Sequence, residues 1–403
     1  MSYDRATTPI RTVPVRALNT TTFAPKSKVT IYSENNRSLL YDTNKSINRG
    51  NWTEVRIDFT KFKKVGSYNS SNITAMVLEF SGGNKNDTIR IDNLHFEINR
   101  EAIRSGKHIL SEKPLTINSR ESAELLKLTR RKAVVNAINF NYRFYPLIQH
   151  ARQLAASGDL GEIYLIHGHY LQDWLYYDTD YNWRLEEGIS GTSRAVADIG
   201  SHWCDLVQFI TGLRISRVFA DLVTFHKTRE KPRQAVETFK GKEKKGTGRA
   251  NKIPIHTEDA ASVLLQFENG ARGVFTVSQV SAGRKNHLWF EIDGSRKALA
   301  WNQEEPNQLW LGYREKGNEI IIKDPSLLDK KARPYAHYPG GHPEGYPDGP
   351  KNLFIDFYNF IRSGKNPLKI QPDFPTFADG HWEIKMVEAV LESHRSQKWV
   401  DLK

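Results

Sequence analysis

Asp198, His202 and Asp205 punctuate the stretch Asp198-Ile-Gly-Ser-His-Trp-Cys-Asp205, which runs on into Leu206-Val-Gln-Phe-Ile-Thr-Gly212. The i, i+4 and i+7 spacing puts all three on one face if the segment is an α-helix. Trp203, Leu206, Val207 and Ile210 then form a neighbouring apolar stripe, and Gly212 falls where a C-terminal cap belongs. An imidazole between two carboxylates makes a group that transfers protons near neutral pH. The same three side chains also suit a histidine satisfied by one aspartate in a structural helix, or a metal site. The residues by themselves leave these alternatives open.

The second stretch with chemistry is Gly106-Lys-His-Ile-Leu-Ser-Glu-Lys-Pro-Leu115. Glu112-Lys113-Pro114 follows a short apolar strand, which is where α/β folds present groups to ligands, although the tripeptide alone is an ordinary surface turn.

The elements that must position these groups follow from periodicity and punctuation. The pattern predicts a helix ending at Glu101–Ser105, a strand at 108–111, a helix from Asn118 or Ser119 to Arg131, a strand over 133–142 and a helix over Leu147–Ser157 stopped at Gly158. Alternating runs predict strands over 163–171, 215–225, 260–267, 273–280, 288–292, 299–302 and 309–312, with turns at Asn269-Gly270 and Asp293-Gly294. Helices over 353–361 and 382–393 close the chain. That order predicts a large, mostly antiparallel sheet with helices on one face, an α+β arrangement.

Residues 1–99 differ in composition. Seven Asn-x-Ser/Thr triplets start at Asn19, Asn36, Asn44, Asn51, Asn69, Asn72 and Asn86, and none occurs later. They mark turns. Between them lie alternating runs at 29–32, 52–59, 73–80 and 88–96, so about five short strands are expected, as in an all-β sandwich or partial jelly roll. Gly50-Asn-Trp-Thr-Glu-Val-Arg-Ile-Asp-Phe59 and Ile91-Asp-Asn-Leu-His-Phe-Glu97 resemble the closing part of a carbohydrate-binding module; a β appendage that binds nothing fits equally well.

From about residue 101 onward the chain resembles the Gfo/Idh/MocA (glucose–fructose oxidoreductase/inositol dehydrogenase) family. The resemblance rests on Glu112-Lys113-Pro114 after its strand, on Gly191-Thr-Ser-Arg-Ala-Val-Ala-Asp-Ile-Gly-Ser-His-Trp-Cys-Asp205, and on Asn141-Tyr-Arg-Phe-Tyr-Pro146, Asn182-Trp-Arg184, Glu268-Asn-Gly-Ala-Arg272 and Pro339-Gly-Gly-His-Pro-Glu-Gly345. It implies hydride transfer between NAD or NADP and a hydroxyl or keto group of a sugar or polyol. Lys113 would orient cofactor and substrate, with Glu112 and Pro114 on the cofactor side; His202 would be the acid/base and Asp198 would bind substrate hydroxyls. Arg143, Tyr145, Trp183, Arg184 and His342 would contact the sugar. Tyr170, Gln172, Asp173 and Trp174 resemble pocket-lining positions, though a half-buried strand end explains them as well. Asp205 is expected to support the helix or an arginine. No metal is assigned, and a homo-oligomer formed through the large sheet is implied.

One feature departs from that family. Its members begin with a full dinucleotide fold carrying Gly-x-Gly-x-x-Gly, and no such pattern occurs here: Gly82-Gly83 sits in a turn setting, and Gly241, Gly246 and Gly248 lie in a basic loop. Three regions are therefore expected: the β-rich segment 1–99, a remnant of a dinucleotide-binding domain at 100–145, and a substrate and oligomerisation domain at 146–403. A sugar-binding protein without catalysis, or a scaffold, is the alternative to a dehydrogenase.

The bulk properties exclude other classes. A chain of 403 residues, 38% hydrophobic and 26% charged, is expected to be globular with two or three domains. No run approaches the roughly 20 apolar residues of a membrane span. The start lacks the apolar core of a secretory signal, and Cys204 is the single cysteine, so a reducing, cytoplasmic setting is expected. Net charge is +12, concentrated in Arg130-Arg131-Lys132 and in the loop from Lys227 to Lys252. That loop has almost no aromatic residues among its charges, so a solvated insertion is expected rather than a nucleic-acid surface.

Overall fold

The computed structural model describes strands between residues 12 and 92 at the level of the backbone, and residues 94–231 and 251–402 in detail. Two compact units divide the chain. One holds residues 1–109 with 127–135, the other residues 110–126 with 136–403.

In the first unit, seven strands precede the first helix: β1 (Thr12–Asn19), β2 (Lys26–Ser33), β3 (Ser38–Ser46), β4 (Trp52–Asp58), β5 (Lys63–Val65), β6 (Ile73–Ser81) and β7 (Ile89–Asp92). They pair as a three-stranded sheet β4-β1-β7 and a four-stranded sheet β5-β3-β2-β6, every pairing antiparallel. The asparagine-rich turns between them lie outside the described residues. The run expected as strand through Phe96 stops at Asp92, and Leu94–Arg104 forms helix α1 instead. Arg100 lies over the ring of Phe96, 5.4 Å from its centroid, the i, i+4 contact that a helix permits and a strand does not.

Next come β8 (Ile109–Ser111), α2 (Ser119–Lys132) and β9 (Asn136–Ile138), with β8 and β9 joined in a two-stranded sheet. Asn118 caps α2, its Oδ1 accepting from the Glu121 backbone N–H at 3.0 Å. The strand expected over 133–142 is shorter than its sequence suggests. Ala133 has φ 51° and Asn141–Phe144 is a 3₁₀ turn, leaving three residues of strand between.

The second unit is built on a nine-stranded sheet. Helix α3 (Pro146–Ala156), β10 (Ile163–Leu171), the single turn α4 (Glu187–Ser190), α5 (Ser201–Thr211) and β11 (Ile215–Val223) come first. A hairpin, β12 (Thr228–Lys231) with β13 (Asn251–Pro254), brackets the basic loop; residues 232–250, with Arg233, Lys240, Lys242, Lys244, Lys245 and Arg249, lie outside the described residues. The remaining strands are β14 (Ala260–Phe267), β15 (Arg272–Ser278), β16 (His287–Gly294), β17 (Ala298–Asn302), β18 (Gln308–Gly312), β19 (Glu319–Ile322) and β20 (Val400–Asp401), with α6 (Asp348–Arg362) and α7 (Phe377–Ser396) between the last two. The sheet order is β19-β18-β17-β16-β10-β15-β14-β11-β20, antiparallel except for β10 beside β15. The expected large, mostly antiparallel sheet is therefore present, with β19 and β20 extending it. The turn placed at Asp293-Gly294 sits later, because Gly294 is still strand and its N–H bonds Lys297 O.

Helix α5 lies against one face of this sheet. Trp203 is fully buried, stacks on Phe275 at 4.9 Å and donates from Nε1 to Trp289 O at 3.0 Å. Burying a side chain of this size stabilises by about 2–3 kcal/mol. The approach needs a glycine at position 168, where a Cβ would stand 2.2 Å from Trp289 O and 2.8 Å from Trp203 Nε1. At the other end of α5, Gly212 adopts φ 73° and caps the helix as expected. Among the described residues no helix is long and apolar enough to cross a membrane.

Candidate active site

The octapeptide does not enter a regular α-helix. Val196–Gly200 forms a π-helical turn, the Ser201 N–H bonding Val196 O, and α5 proper starts at Ser201. Such turns insert a residue into the helical register and often occur at functional sites. Glu258 anchors this turn: its Oε1 accepts from Ser193 Oγ at 2.8 Å and from the Arg194 and Val196 backbone N–H groups, each at 2.9 Å. Beneath it the buried Arg194 pairs with Asp259, which also takes Arg229 at 2.9 Å.

The register change separates the three expected partners. Asp198 faces Lys113, which donates from Nζ to Asp198 O at 2.5 Å and to Oδ1 at 2.7 Å. Arg184 Nε stands 3.2 Å from the same Oδ1, and Gln279 donates to Oδ2 at 2.9 Å. Asp205 turns to Arg143, whose Nε donates to it at 2.8 Å and whose Nη2 bonds both Asp205 and, at 3.0 Å, Asp379. His202 is hydrogen-bonded to neither aspartate, and its Nδ1 is buried without a partner. The imidazole clamped by two carboxylates is thus corrected to three neighbouring groups with separate partners.

Aromatic edges orient His202 instead. Tyr142 and Phe140 meet its ring in T-shaped contacts at 5.0 and 5.6 Å, and Tyr170 lies at 6.5 Å. Tyr142 Oη and Tyr170 Oη are 2.7 Å apart; Tyr170 donates to Asn286 Oδ1 at 2.6 Å, and Asn286 Nδ2 returns to Tyr142 at 2.9 Å.

Burial and the nearby Lys113 charge push the His202 imidazole well below its usual 6.5, against the opposing pull of Asp198, so it is neutral at pH 7. Burial would raise the Asp198 carboxyl, but Lys113 and Arg184 outweigh it and hold the group at about 2. Burial carries the Tyr142 phenol to about 12 and Tyr170 well above 10, so both remain O–H donors. An ammonium has three N–H groups. Two are spent on Asp198, leaving one for another acceptor.

The other expected positions divide into two groups. Trp183 is exposed and Arg184 lies over its ring at 4.6 Å, with Trp174 on another side at 5.7 Å. Gln172 bonds Asn286 Oδ1 at 3.0 Å and receives Trp174 Nε1 at 2.7 Å, joining that strand end to the tyrosines. Asp173 turns outward to Lys285 and the Gly283 N–H. Arg143, by contrast, is nearly buried, and its Nε and Nη2 are consumed by two carboxylates. Tyr145 is buried against Trp301 at 5.3 Å, and His342 is exposed, with Nδ1 3.2 Å from Gly340 O. None of these three contacts Lys113, Asp198 or His202. Gln279 and Tyr142 touch that cluster and were missed. Tyr142 stands inside the Asn141–Pro146 stretch, from which the resemblance points to Arg143 and Tyr145; the 3₁₀ turn groups Tyr142 with Tyr145, stacked at 5.8 Å.

Glu112 Oε1 accepts from Asn139 Nδ2 at 2.7 Å, while Asn139 Oδ1 is buried without a partner. The Lys113–Pro114 peptide is cis. Asn139 Oδ1 is thus an unsatisfied acceptor on a side chain bonded to Glu112, the residue before Lys113.

Residues 148–300 match the family described as the GFO/IDH/MocA C-terminal domain, and residues 69–140 match the oxidoreductase family described as an NAD-binding Rossmann fold. Levoglucosan dehydrogenase of Pseudarthrobacter phenanthrenivorans is 29% identical over 357 residues, covering 84% of this chain and 85% of that protein. The crystal structure of an oxidoreductase domain protein from Kribbella flavida superposes with a TM-score of 0.68 at 34% identity, covering 77% of this chain and 78% of the other. An inositol dehydrogenase homologue from Azotobacter vinelandii, complexed with NADH and myo-inositol, gives a TM-score of 0.65 at 26% identity over 77% and 75% of the two chains.

Proposed function

We propose, from the premise that this chain belongs to the GFO/IDH/MocA family of oxidoreductases, that it oxidises a hydroxyl of a sugar or polyol and passes the hydride to NAD or NADP. One observation carries the reading: Lys113 is clasped by Asp198 through two hydrogen bonds, with a third N–H to spare, beside a buried neutral His202.

The nicotinamide, when bound, supplies the hydride acceptor. Its carboxamide end fits the residues present, since Asn139 Oδ1 is a buried acceptor in need of a donor, and Lys113 stands beside Glu112 at the end of β8. Lys113 gives its free N–H to the reacting oxygen and favours the alkoxide by its charge. His202, uncharged, takes the hydroxyl proton and returns it in the reverse direction. With Nδ1 shut in, Nε2 is the atom assigned that role. Asp198 holds Lys113 rather than the sugar, because its oxygens are already engaged by Lys113, Arg184 and Gln279. The exposed Trp183, with the half-buried Arg184 over its ring, forms a rim on which a sugar ring can stack. Arg143 supports the fold through Asp205, and Tyr145 supports it from the core.

The rest of the reading has separate supports. Residues 1–99 are read as a β domain of the carbohydrate-module type from the antiparallel pairing of their described strands, and 100–145 as the later part of a dinucleotide fold from the β8-α2-β9 crossover; the NAD-binding family match starts at residue 69 and so takes in β6 and β7 as well. The absence of Gly-x-Gly-x-x-Gly motivates that division. A homo-oligomer is assigned to the open face of the large sheet, where Leu264 and Val274 are exposed; a monomer in light scattering would dismiss it. The single buried cysteine motivates a cytoplasmic setting.

The test is nicotinamide absorbance with the full chain, NAD and NADP in turn, and a panel of sugars and polyols that includes levoglucosan and myo-inositol. Turnover with one pair is expected. No quenching of tryptophan fluorescence by either dinucleotide at about millimolar concentration would refute an autonomous dehydrogenase. Calorimetric sugar binding without turnover, abolished by His202→Ala, would instead establish the catalytically silent sugar-binding protein.

A further inference from the structure

The sheet face opposite α5 carries a second cluster of potential ligands. Antiparallel pairing sets His167 of β10 directly across from Glu291 of β16, and Leu165 across from Asp293. Side chains two residues apart on a strand share a face. Glu291 and Asp293 therefore flank the imidazole on the side away from Phe290 and Ile292, which are fully buried in the core. One ligand atom from each of His167, Glu291 and Asp293 lies within 4.8 Å of the other two. His167 Nε2 and Asp293 Oδ2 are 3.6 Å apart, close to the roughly 3.3 Å between two ligands on one tetrahedral zinc ion.

We propose that His167, Glu291 and Asp293 form a binding site for a divalent ion of the zinc class, clipping β10 to β16. Three arguments support it. An imidazole with two carboxylates is a donor set that suits zinc and its neighbours better than magnesium or calcium, which prefer oxygen alone. The two carboxylates share one face beside the imidazole, without a lysine or arginine bonded to either among the described residues, so their charges lack a fixed counter-cation. The imidazole is also held in place, packed edge-on against Trp289 at 5.4 Å, so little side-chain freedom is lost on ligation. Three protein ligands leave a fourth coordination position, on the same sheet face as the Leu264 and Val274 assigned above to the oligomer. The site lies on the face opposite the one that carries His202, so it stands independently of the proposed dehydrogenase activity.

The test is calorimetric titration of the chelator-treated full chain with Zn²⁺, together with the visible absorption of Co²⁺, for the wild type, His167→Ala and Asp293→Asn. Both substitutions are at part-exposed positions, and thermal melts without metal check that each variant folds. One equivalent of Zn²⁺ is expected, weakened about tenfold or more in both variants, since losing even an outer partner of a metal ligand costs about ten- to a hundredfold. The Co²⁺ absorption should disappear with it. No equivalent binding more tightly than about 0.1 mM, or an affinity that survives in either variant, overturns the assignment.

Discussion

Asp198→Asn removes one charge and almost no volume, so it isolates the electrostatic clasp on Lys113. Burial alone would raise this carboxyl, yet Lys113 and Arg184 hold it from its usual 3.8 down to about 2. That interval favours the charged form by about 2 kcal/mol. Side-chain exposure is 12% at Lys113 and 10% at Asp198, so solvent screens the pair little. Asp198→Asn should therefore lower the unfolding free energy at pH 7 by about 2 kcal/mol, about thirtyfold in the equilibrium constant. Because the folded pKa lies below the unfolded one, this stability is fully present above about pH 4 and is lost as pH falls towards 2. The assay is urea unfolding followed by tryptophan fluorescence for the wild type, Asp198→Asn, Lys113→Met and the double variant. With Arg184 sharing the charge, the Lys113–Asp198 coupling should be about 1 kcal/mol. In turnover assays Asp198→Asn should lower kcat far more than it changes the sugar KM, because the displaced ammonium acts on the developing alkoxide. A coupling within about 0.3 kcal/mol of zero, or an unchanged kcat, would refute the clasp.

Four further outcomes follow from the same geometry. His202→Ala should lower kcat by about 10²- to 10⁴-fold while leaving dinucleotide binding intact, as fluorescence quenching can show. The acid limb of the wild-type oxidation rate should lie well below pH 6.5, since burial and Lys113 depress the imidazole; Asp198→Asn removes an influence that raises it and should move the limb lower still. Arg143→Met leaves Asp205 and Asp379 buried without their cation and should cost about 3–5 kcal/mol in denaturant unfolding, a loss that Arg143→Lys recovers only in part. Glu383 is pushed well above 4.5 by burial and the Asp205 charge, so the folded state disfavours its ionisation and the wild type loses stability as pH rises above 4.5. Glu383→Gln should be nearly silent at pH 5 and relatively stabilising at pH 8; thermal melts at the two values decide.

The residues proposed to do the chemistry were legible because their types and local punctuation are local facts. Asp198, His202 and Lys113 stand in short stretches whose strand, turn and helix signals survive without tertiary context, and Gly212 marks a helix end in any environment that the helix enters. The large sheet was legible for the same reason: alternation over 163–171 and 260–267 depends only on one face being buried.

Which group meets which was decided by tertiary structure. The resemblance set Arg143 and Tyr145 at the sugar, but the 3₁₀ turn at Asn141–Phe144 turns Tyr142 towards His202 and Arg143 towards Asp205, a choice that composition does not encode. The π turn at Val196–Gly200 was invisible for a related reason. It depends on Glu258, 62 residues away in sequence from Val196, accepting the N–H groups at the turn's start. Gln279 reached Asp198 only because β15 ends beside the turn. Sequence determined the inventory of chemical groups and most of the elements that carry them. Only packing between distant segments determined that Asp198 holds a lysine, that Asp205 holds an arginine, and that His202 stands between them uncharged, because desolvation and nearby charge belong to a site and not to a residue.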